Sequence, residues 1–154
     1  MWPAVLIDSC VMMDAILPFR QDHERASTLL GLLAKAGTVC YIPSHAYFEC
    51  AVAVITHFKY NPEKLKNHPI DLSAIPNLEL KVVTLNDDYV NELWQGLLGK
   101  PIPDLKSQDL IYFCVARNRG MPLITQDKKL RKTSRKGGIP SLNIDEALEA
   151  LGKV

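Results

Sequence analysis

Four acidic residues stand where a carboxylate has chemistry open to it. Asp8 directly follows the apolar run Ala4-Val5-Leu6-Ile7, and Asp127 follows Pro122-Leu123-Ile124-Thr125 after one residue. Glu49 interrupts the otherwise apolar Tyr47-Phe48-Glu49-Cys50-Ala51-Val52-Ala53-Val54, where burying an unpaired carboxylate would be costly. Asp109 opens Leu110-Ile111-Tyr112-Phe113-Cys114-Val115-Ala116, two residues after Ser107. Each has a plainer explanation when taken singly. Asp8, Asp109 and Asp127 suit helix N-termini, and Glu49 suits the edge of a buried helix face. Gathered in one place they would repel, each pair at ~4 Å costing about 4 kcal/mol at an effective dielectric near ~20. A cluster of that kind stays ionised at neutral pH only around cations. Ligands that are all oxygen select hard ions, meaning Mg2+, Mn2+ or Ca2+, over zinc or copper.

The elements that must position these acids alternate in type. Ala4–Ile7 reads as a buried strand, and residues 22–36 carry Ala26, Leu29, Leu30, Leu33 and Ala34 at helix spacing with Gly37 as a stop. Val39-Cys40-Tyr41-Ile42 is a second strand, after which Ser44 caps a helix through Tyr47, Phe48, Ala51, Val52 and Ile55. Residues 59–77 are polar, include Pro62, Pro69 and Pro76, and read as a loop. A strand over 78–85, a helix from Asp87 to about Leu98, and a helix capped by Ser107 and ending near Gly120 follow. Then come the strand Pro122–Thr125, a basic helix, a short strand within 139–142 and a closing helix over 144–151. Strands alternating with helices predict one α/β domain over residues 1–154, a three-layer α/β/α sandwich around a mainly parallel sheet. In such a sheet all four acids face the carboxyl edge, where open α/β folds bind ligands.

Composition sets limits on function. Hydrophobic residues make up 47% of 154 and charged residues 23%, the balance of a globular protein, and no apolar run nears the ~18 residues of a membrane helix. Met1-Trp2-Pro3 leads straight into the first strand without a basic stretch, so no secretory signal is expected and the cytoplasm is the expected location. Cys10, Cys40, Cys50 and Cys114 lack Cys-x-x-Cys spacing and read as reduced thiols. Cys10 lies at a strand end, but no His or Arg at a phosphatase-like spacing follows it. A haloacid-dehalogenase-type phosphatase would need a second Asp where Cys10 stands. His23, His45, His57 and His68 receive no catalytic role, and Trp94 is expected to pack within its helix. The net charge of +1 is uninformative, but Lys128, Lys129, Arg131, Lys132, Arg135 and Lys136 place six cations in nine residues. Such a run is either a solvated helix face or a phosphate-backbone contact.

Four passages in order resemble the PIN-domain family, which includes VapC-type toxin ribonucleases. Val5-Leu6-Ile7-Asp8-Ser9-Cys10-Val11 is similar to its opening strand and first acid, and Ile42-Pro43-Ser44 leading to Glu49 is similar to its second acidic motif. Ser107-Gln108-Asp109-Leu110-Ile111 through Ala116 resembles the third motif. Leu123-Ile124-Thr125-Gln126-Asp127-Lys128-Lys129-Leu130 resembles the hydroxyl-x-aspartate motif that closes the site. The match runs from residue 4 to about residue 149. Cys10 stands where Asn or Ser is frequent, and Lys129 where a second acid often follows; Asp104 is either a supplementary ligand or a turn residue.

The resemblance implies an endoribonuclease that hydrolyses RNA phosphodiester bonds with Mg2+ or Mn2+ held by Asp8, Asp109, Asp127 and Glu49, all four catalytic. Ser9 and Thr125 would steady the carboxylates, while Lys128, Lys129, Arg131 and Lys132 would bind the RNA substrate. It also implies a toxin with an antitoxin protein as partner, a homodimer, and no membrane association. The alternative is a catalytically inactive PIN-like module that binds RNA or protein, against which the presence of all four acids argues.

Overall fold

In the computed structural model, which describes residues 2–59, 63 and 77–152, the apolar run Ala4–Ile7 forms the central strand β1. Val5, Leu6 and Ile7 are all fully buried, because helices cover both faces of the sheet and leave no polar side for the run to alternate with. Strand β2 (Val39–Pro43) lies on one side of β1 in the register Ala4↔Val39, and β3 (Leu80–Val83) lies outside β2. On the other side β4 (Leu123–Ile124) pairs with β1 through Leu6↔Leu123, and β5 (Ser141–Leu142) lies beyond it. All four pairings are parallel and the order is β3-β2-β1-β4-β5.

Helices α1 (Ser9–Ile16), α2 (His23–Lys35), α3 (Ser44–His57), α4 (Asp87–Leu97), α5 (Ser107–Arg119), α6 (Lys128–Lys136) and α7 (Ile144–Gly152) complete the described elements. The alternation of β1 divides the core in two. Val5 and Ile7 pack with Val11, Leu29, Leu30, Ala46, Cys50 and Ile144, from α1, α2, α3 and α7. Leu6 packs with Leu93, Tyr112, Val115 and Leu130, from α4, α5 and α6. The result is the expected three-layer sandwich.

Strand order also locates a crevice. The chain leaves β1 outward to β2 and β3, then returns to β4 and β5 on the opposite side, so the order reverses between β1 and β4. Ligands in open α/β sheets bind at that reversal, beyond the carboxyl ends of the strands. Asp8 and Asp127 follow the two strands that flank it.

Several local expectations change. Helix α1 has no counterpart in the apolar pattern, since Ser9-Cys10-Val11-Met12-Met13 is short and nearly all apolar, with little periodicity to read. Lys106 and Pro43, not Ser107 and Ser44, are the residues ahead of α5 and α3, and neither helix has a side-chain cap hydrogen bond. The strand expected over 78–85 contracts to Leu80–Val83. Trp94 is 52% exposed, because α4 turns Leu93 and Leu97 toward the core instead. Most of the polar segment expected as a loop at 59–77, and His68, lie outside the described residues. Cys40, Cys50 and Cys114 are buried free thiols and Cys10 is half-buried. Among the described residues no helix is long and apolar enough to cross a membrane.

The end of α6 shows how tightly this layer is packed. A Cβ on Gly137 would meet Phe113 Cε2 at 2.6 Å and Cζ at 2.8 Å, and Phe113 is only 3% exposed and cannot swing clear. Gly137→Ala is therefore expected to destabilise the fold by about 1–3 kcal/mol through overpacking. Chemical denaturation should show a lower midpoint at unchanged slope; an unaltered midpoint would contradict this packing.

Candidate metal and active site

Asp8 is the most enclosed of the four acids, at 7% exposure. It follows β1 as the N-cap of α1, and its two oxygens take four donors. Ser9 Oγ (3.3 Å) and the Cys10 backbone N–H (3.4 Å) reach Oδ1. Thr125 Oγ1 (2.5 Å) and Cys10 Sγ (3.1 Å) reach Oδ2. A buried carboxylate with that many donors is held in one orientation and kept compatible with its low-dielectric surroundings. Burial, followed by the Asp8 charge, pushes the Cys10 thiol pKa well up, so Cys10 remains a neutral donor and not a nucleophile.

Thr125 joins the ends of the two strands. The hydroxyl that donates to Asp8 also accepts the Asp127 backbone N–H at 3.0 Å. Asp127 is exposed and caps α6, with Oδ1 accepting the Leu130 N–H at 2.7 Å. Capping and convergence are thus compatible here: one oxygen of Asp127 orients the group by capping while the carboxyl stays at the crevice.

Glu49 sits on α3, half-buried, and its Oε2 accepts a hydrogen bond from Tyr112 Oη at 3.2 Å. The same Tyr112 oxygen accepts the Ser9 backbone N–H at 3.0 Å, and the side chain is only 2% exposed. Tyr112 therefore ties Glu49 to the start of α1. Burial first, and then the Asp8 charge, raise its pKa, so it stays a neutral donor. The sequence reading missed this residue because Tyr112 lies inside an apolar helix and looks like core; the signal is the one hydroxyl in that run. His45, one turn before Glu49, packs edge-on against Tyr112 with ring centroids 5.1 Å apart. Neither of its buried ring nitrogens has a hydrogen-bond partner among the described residues.

Asp109, in the first turn of α5, reports the convergence most directly. Its carboxyl pKa is raised, by partial burial first and then by the charges of Asp127 and Asp8, with Glu49 adding a smaller push; Lys106 only partly offsets them. The acids that follow β1 and β4 and the one on α3 thus all act on Asp109 at this edge. The donor set is entirely carboxylate oxygen, which fits a hard divalent cation. Among the described residues no three Asp, Glu, His or Cys groups already stand in a ligating arrangement, so an ion would have to draw the side chains together.

The remaining residues of interest divide. Asp104 is 99% exposed and pairs with Lys129 Nζ at 3.0 Å. Arg131 folds inward, Nη1 donating to the Thr125 carbonyl at 3.1 Å with the side chain 16% exposed. Lys128 and Lys132 are exposed on α6.

Comparison with known proteins bears on the family and the fold. The family model described as PIN domain matches residues 5–136. No curated protein matches by sequence. The PAE2754 protein of Pyrobaculum aerophilum superposes with a TM-score of 0.63 at 16% identity, covering 98% of this chain and 90% of that one. VapC20 of Mycobacterium tuberculosis, a sarcin-ricin loop cleaving toxin, gives 0.56 at 15% identity over 88% and 95% of the two chains. VapBC2 from Rickettsia felis, bound to a fragment of promoter DNA, gives 0.56 at 17% identity over 91% and 98%. At such identities these structures share the fold.

Two outcomes follow from the site geometry. Tyr112→Phe keeps the buried ring but strands the Ser9 N–H and removes the donor to Glu49, at a cost of about 1–3 kcal/mol in denaturation experiments; an unchanged midpoint would mean that the hydroxyl ties nothing. Asp109 titrates higher in the folded than in the unfolded chain. The stability it contributes is therefore full below the ordinary aspartate range and is lost as pH rises through its raised value. In chelating buffer Asp109→Asn should melt higher than the wild type at neutral pH, with the gap closing in acid. A gap of the same size at all pH values would show that the neighbouring acids do not act on it.

Proposed function

Because the chain belongs to the PIN-domain family, we propose that it is a divalent-metal-dependent endoribonuclease acting as the toxin of a toxin–antitoxin pair. The observation that carries this reading is the placement of Asp8 and Asp127 at the ends of β1 and β4, joined through the Thr125 hydroxyl, beside an Asp109 carboxyl raised by partial burial and then by the charges of Asp127, Asp8 and Glu49. Mutual repulsion left standing in the protein alone is what a cation-binding site of hard oxygens would relieve.

Asp8, Asp109 and Asp127 would hold Mg2+ or Mn2+, with Glu49 binding directly or through water. The bound ion supplies Lewis-acid chemistry: a water of lowered pKa and neutralisation of charge on the phosphate oxygens. Ser9 and Thr125 hold the Asp8 carboxylate and Tyr112 holds Glu49, and these contacts would steady the carboxylates for such an ion. Lys128 and Lys132, exposed directly after Asp127, would follow the RNA backbone and release its counterions. Lys129 is drawn to Asp104, and Arg131 buttresses the Thr125 turn; both serve the substrate less directly. The toxin role is supported by the VapC20 and VapBC2 structures with which the fold superposes, and it makes a small antitoxin protein the natural partner.

The test is metal-dependent cleavage by the purified chain. The wild type should cleave RNA with Mn2+ or Mg2+ and stop when EDTA is added. Asp8→Asn should lose more than about 100-fold, since even residues behind the ligands cost 10–100-fold when removed. Calorimetry should show the same variant binding Mn2+ more weakly while its melting profile remains cooperative. Undiminished cleavage by Asp8→Asn, or in EDTA, would refute this assignment.

A further inference from the structure

On the α1–α3 side of the acids lies a recess of about 460 Å³ that the proposed chemistry does not use. It is lined by Cys10, Asp14, Phe19, Arg20, Asp22 and Gln126, among others. Cys10 is the wall shared with the acids, its Sγ lying 3.1 Å from Asp8 Oδ2.

Arg20 is built into place. Its Nε donates to Asp14 Oδ1 at 2.5 Å, and Asp14 is only 5% exposed, so the guanidinium is gripped along one edge. Its two terminal nitrogens have no hydrogen-bond partner among the described residues, and 37% of the side chain is exposed. The other acid of the recess is already occupied: Asp22 pairs with Arg25 and accepts from Gln126 Nε2 at 3.3 Å. Beside Arg20, Phe19 stacks on His57 with ring centroids 3.5 Å apart and planes within 6°, and the residue remains 44% exposed. A fixed guanidinium edge next to a partly exposed aromatic ring offers a nucleotide one contact for its phosphate and one for its base.

We propose that this recess is a subsite for one nucleotide of the RNA strand, across the acids from α6. Arg20 takes a phosphate through its terminal nitrogens, and the open part of Phe19 takes a base. This rests on the ribonuclease reading. A strand whose scissile phosphate lies over the carboxylates must leave in two directions, and Lys128 and Lys132 serve only the α4–α6 layer. A guanidinium held at Nε keeps two parallel N–H groups for phosphate oxygens, a grip that an ammonium cannot reproduce. Stacking on Phe19 tolerates any base, so the subsite binds without reading sequence.

The test is steady-state cleavage of a single-stranded RNA decamer by the wild type, Arg20→Gln and Phe19→Ala. Each variant should raise KM about 10-fold with kcat within about twofold, as expected for losing one charged or stacking contact. Arg20→Gln should also flatten the dependence of log KM on log salt by about 0.7, the contribution of one phosphate on a single strand. Mn2+ affinity by calorimetry should be unchanged in both. Should Arg20→Gln fail to fold because it leaves the buried Asp14 unpaired, Arg20→Lys keeps a cation there and is expected to raise KM several-fold while retaining the wild-type salt slope. A wild type that cleaves RNA while Phe19→Ala and the folded Arg20 variant leave KM untouched overturns the subsite alone. A wild type that cleaves no RNA overturns the nuclease reading and the subsite with it.

Discussion

Like charges brought to one partly buried edge of the sheet are the constraint on which the candidate site depends. Asp8, Glu49, Asp109 and Asp127 come from four segments spread over 120 residues of chain, and nothing local brings them near one another. The carboxyl of Asp109 is raised first by its partial burial and then by the charges of Asp127 and Asp8. A fold that maximised its own stability would keep such groups apart. Here the sheet order delivers them to one edge, and neighbouring donors hold some of them there.

Those donors show how the arrangement is tolerated. Asp8 is compensated by hydroxyl, thiol and backbone groups, none of which carries charge. Neutral donors steady a carboxylate without competing for a cation as a lysine or arginine would. The same economy appears at Glu49, whose partner is the Tyr112 hydroxyl. Cations are kept to the flanks: Lys128 and Lys132 on one layer, Arg20 on the other, while Lys129 and Arg131 are tied to Asp104 and the Thr125 turn. The site is therefore negative at its centre and positive at its margins, the pattern that a polyanion bridged by metal ions would meet.

Helix capping and the proposed chemistry fall on the same side chains. Asp8 caps α1 and Asp127 caps α6, and in each case the backbone N–H that satisfies one oxygen also fixes the direction of the carboxyl. Thr125 links the two, donating to one acid and accepting from the backbone of the other across the reversal of strand order. From the sequence the capping explanation competed with the functional one; in three dimensions the cap supplies the orientation.

The sequence by itself determined the strand–helix alternation, the parallel sheet and the four acids at strand ends and helix starts, because each depends on residue type and short-range spacing. Burial on both faces makes β1 a continuous apolar run, and a carboxylate within such a context is visible without coordinates. Other features were decided only by tertiary structure. Tyr112 reads as core until α5 is laid against α3 and its hydroxyl meets Glu49. Trp94 reads as core until α4 turns Leu93 inward and leaves it in solvent. Arg131 reads as one more cation of a basic run until it folds onto the Thr125 carbonyl, and Arg20 carries no pattern at all before Asp14 grips it. Spacing along a chain records what an element needs locally; the partners of Tyr112, 63 and 103 residues away, exist only once the layers have packed, and the six-residue reaches of Arg131 and Arg20 exist only once the turns beside them are set.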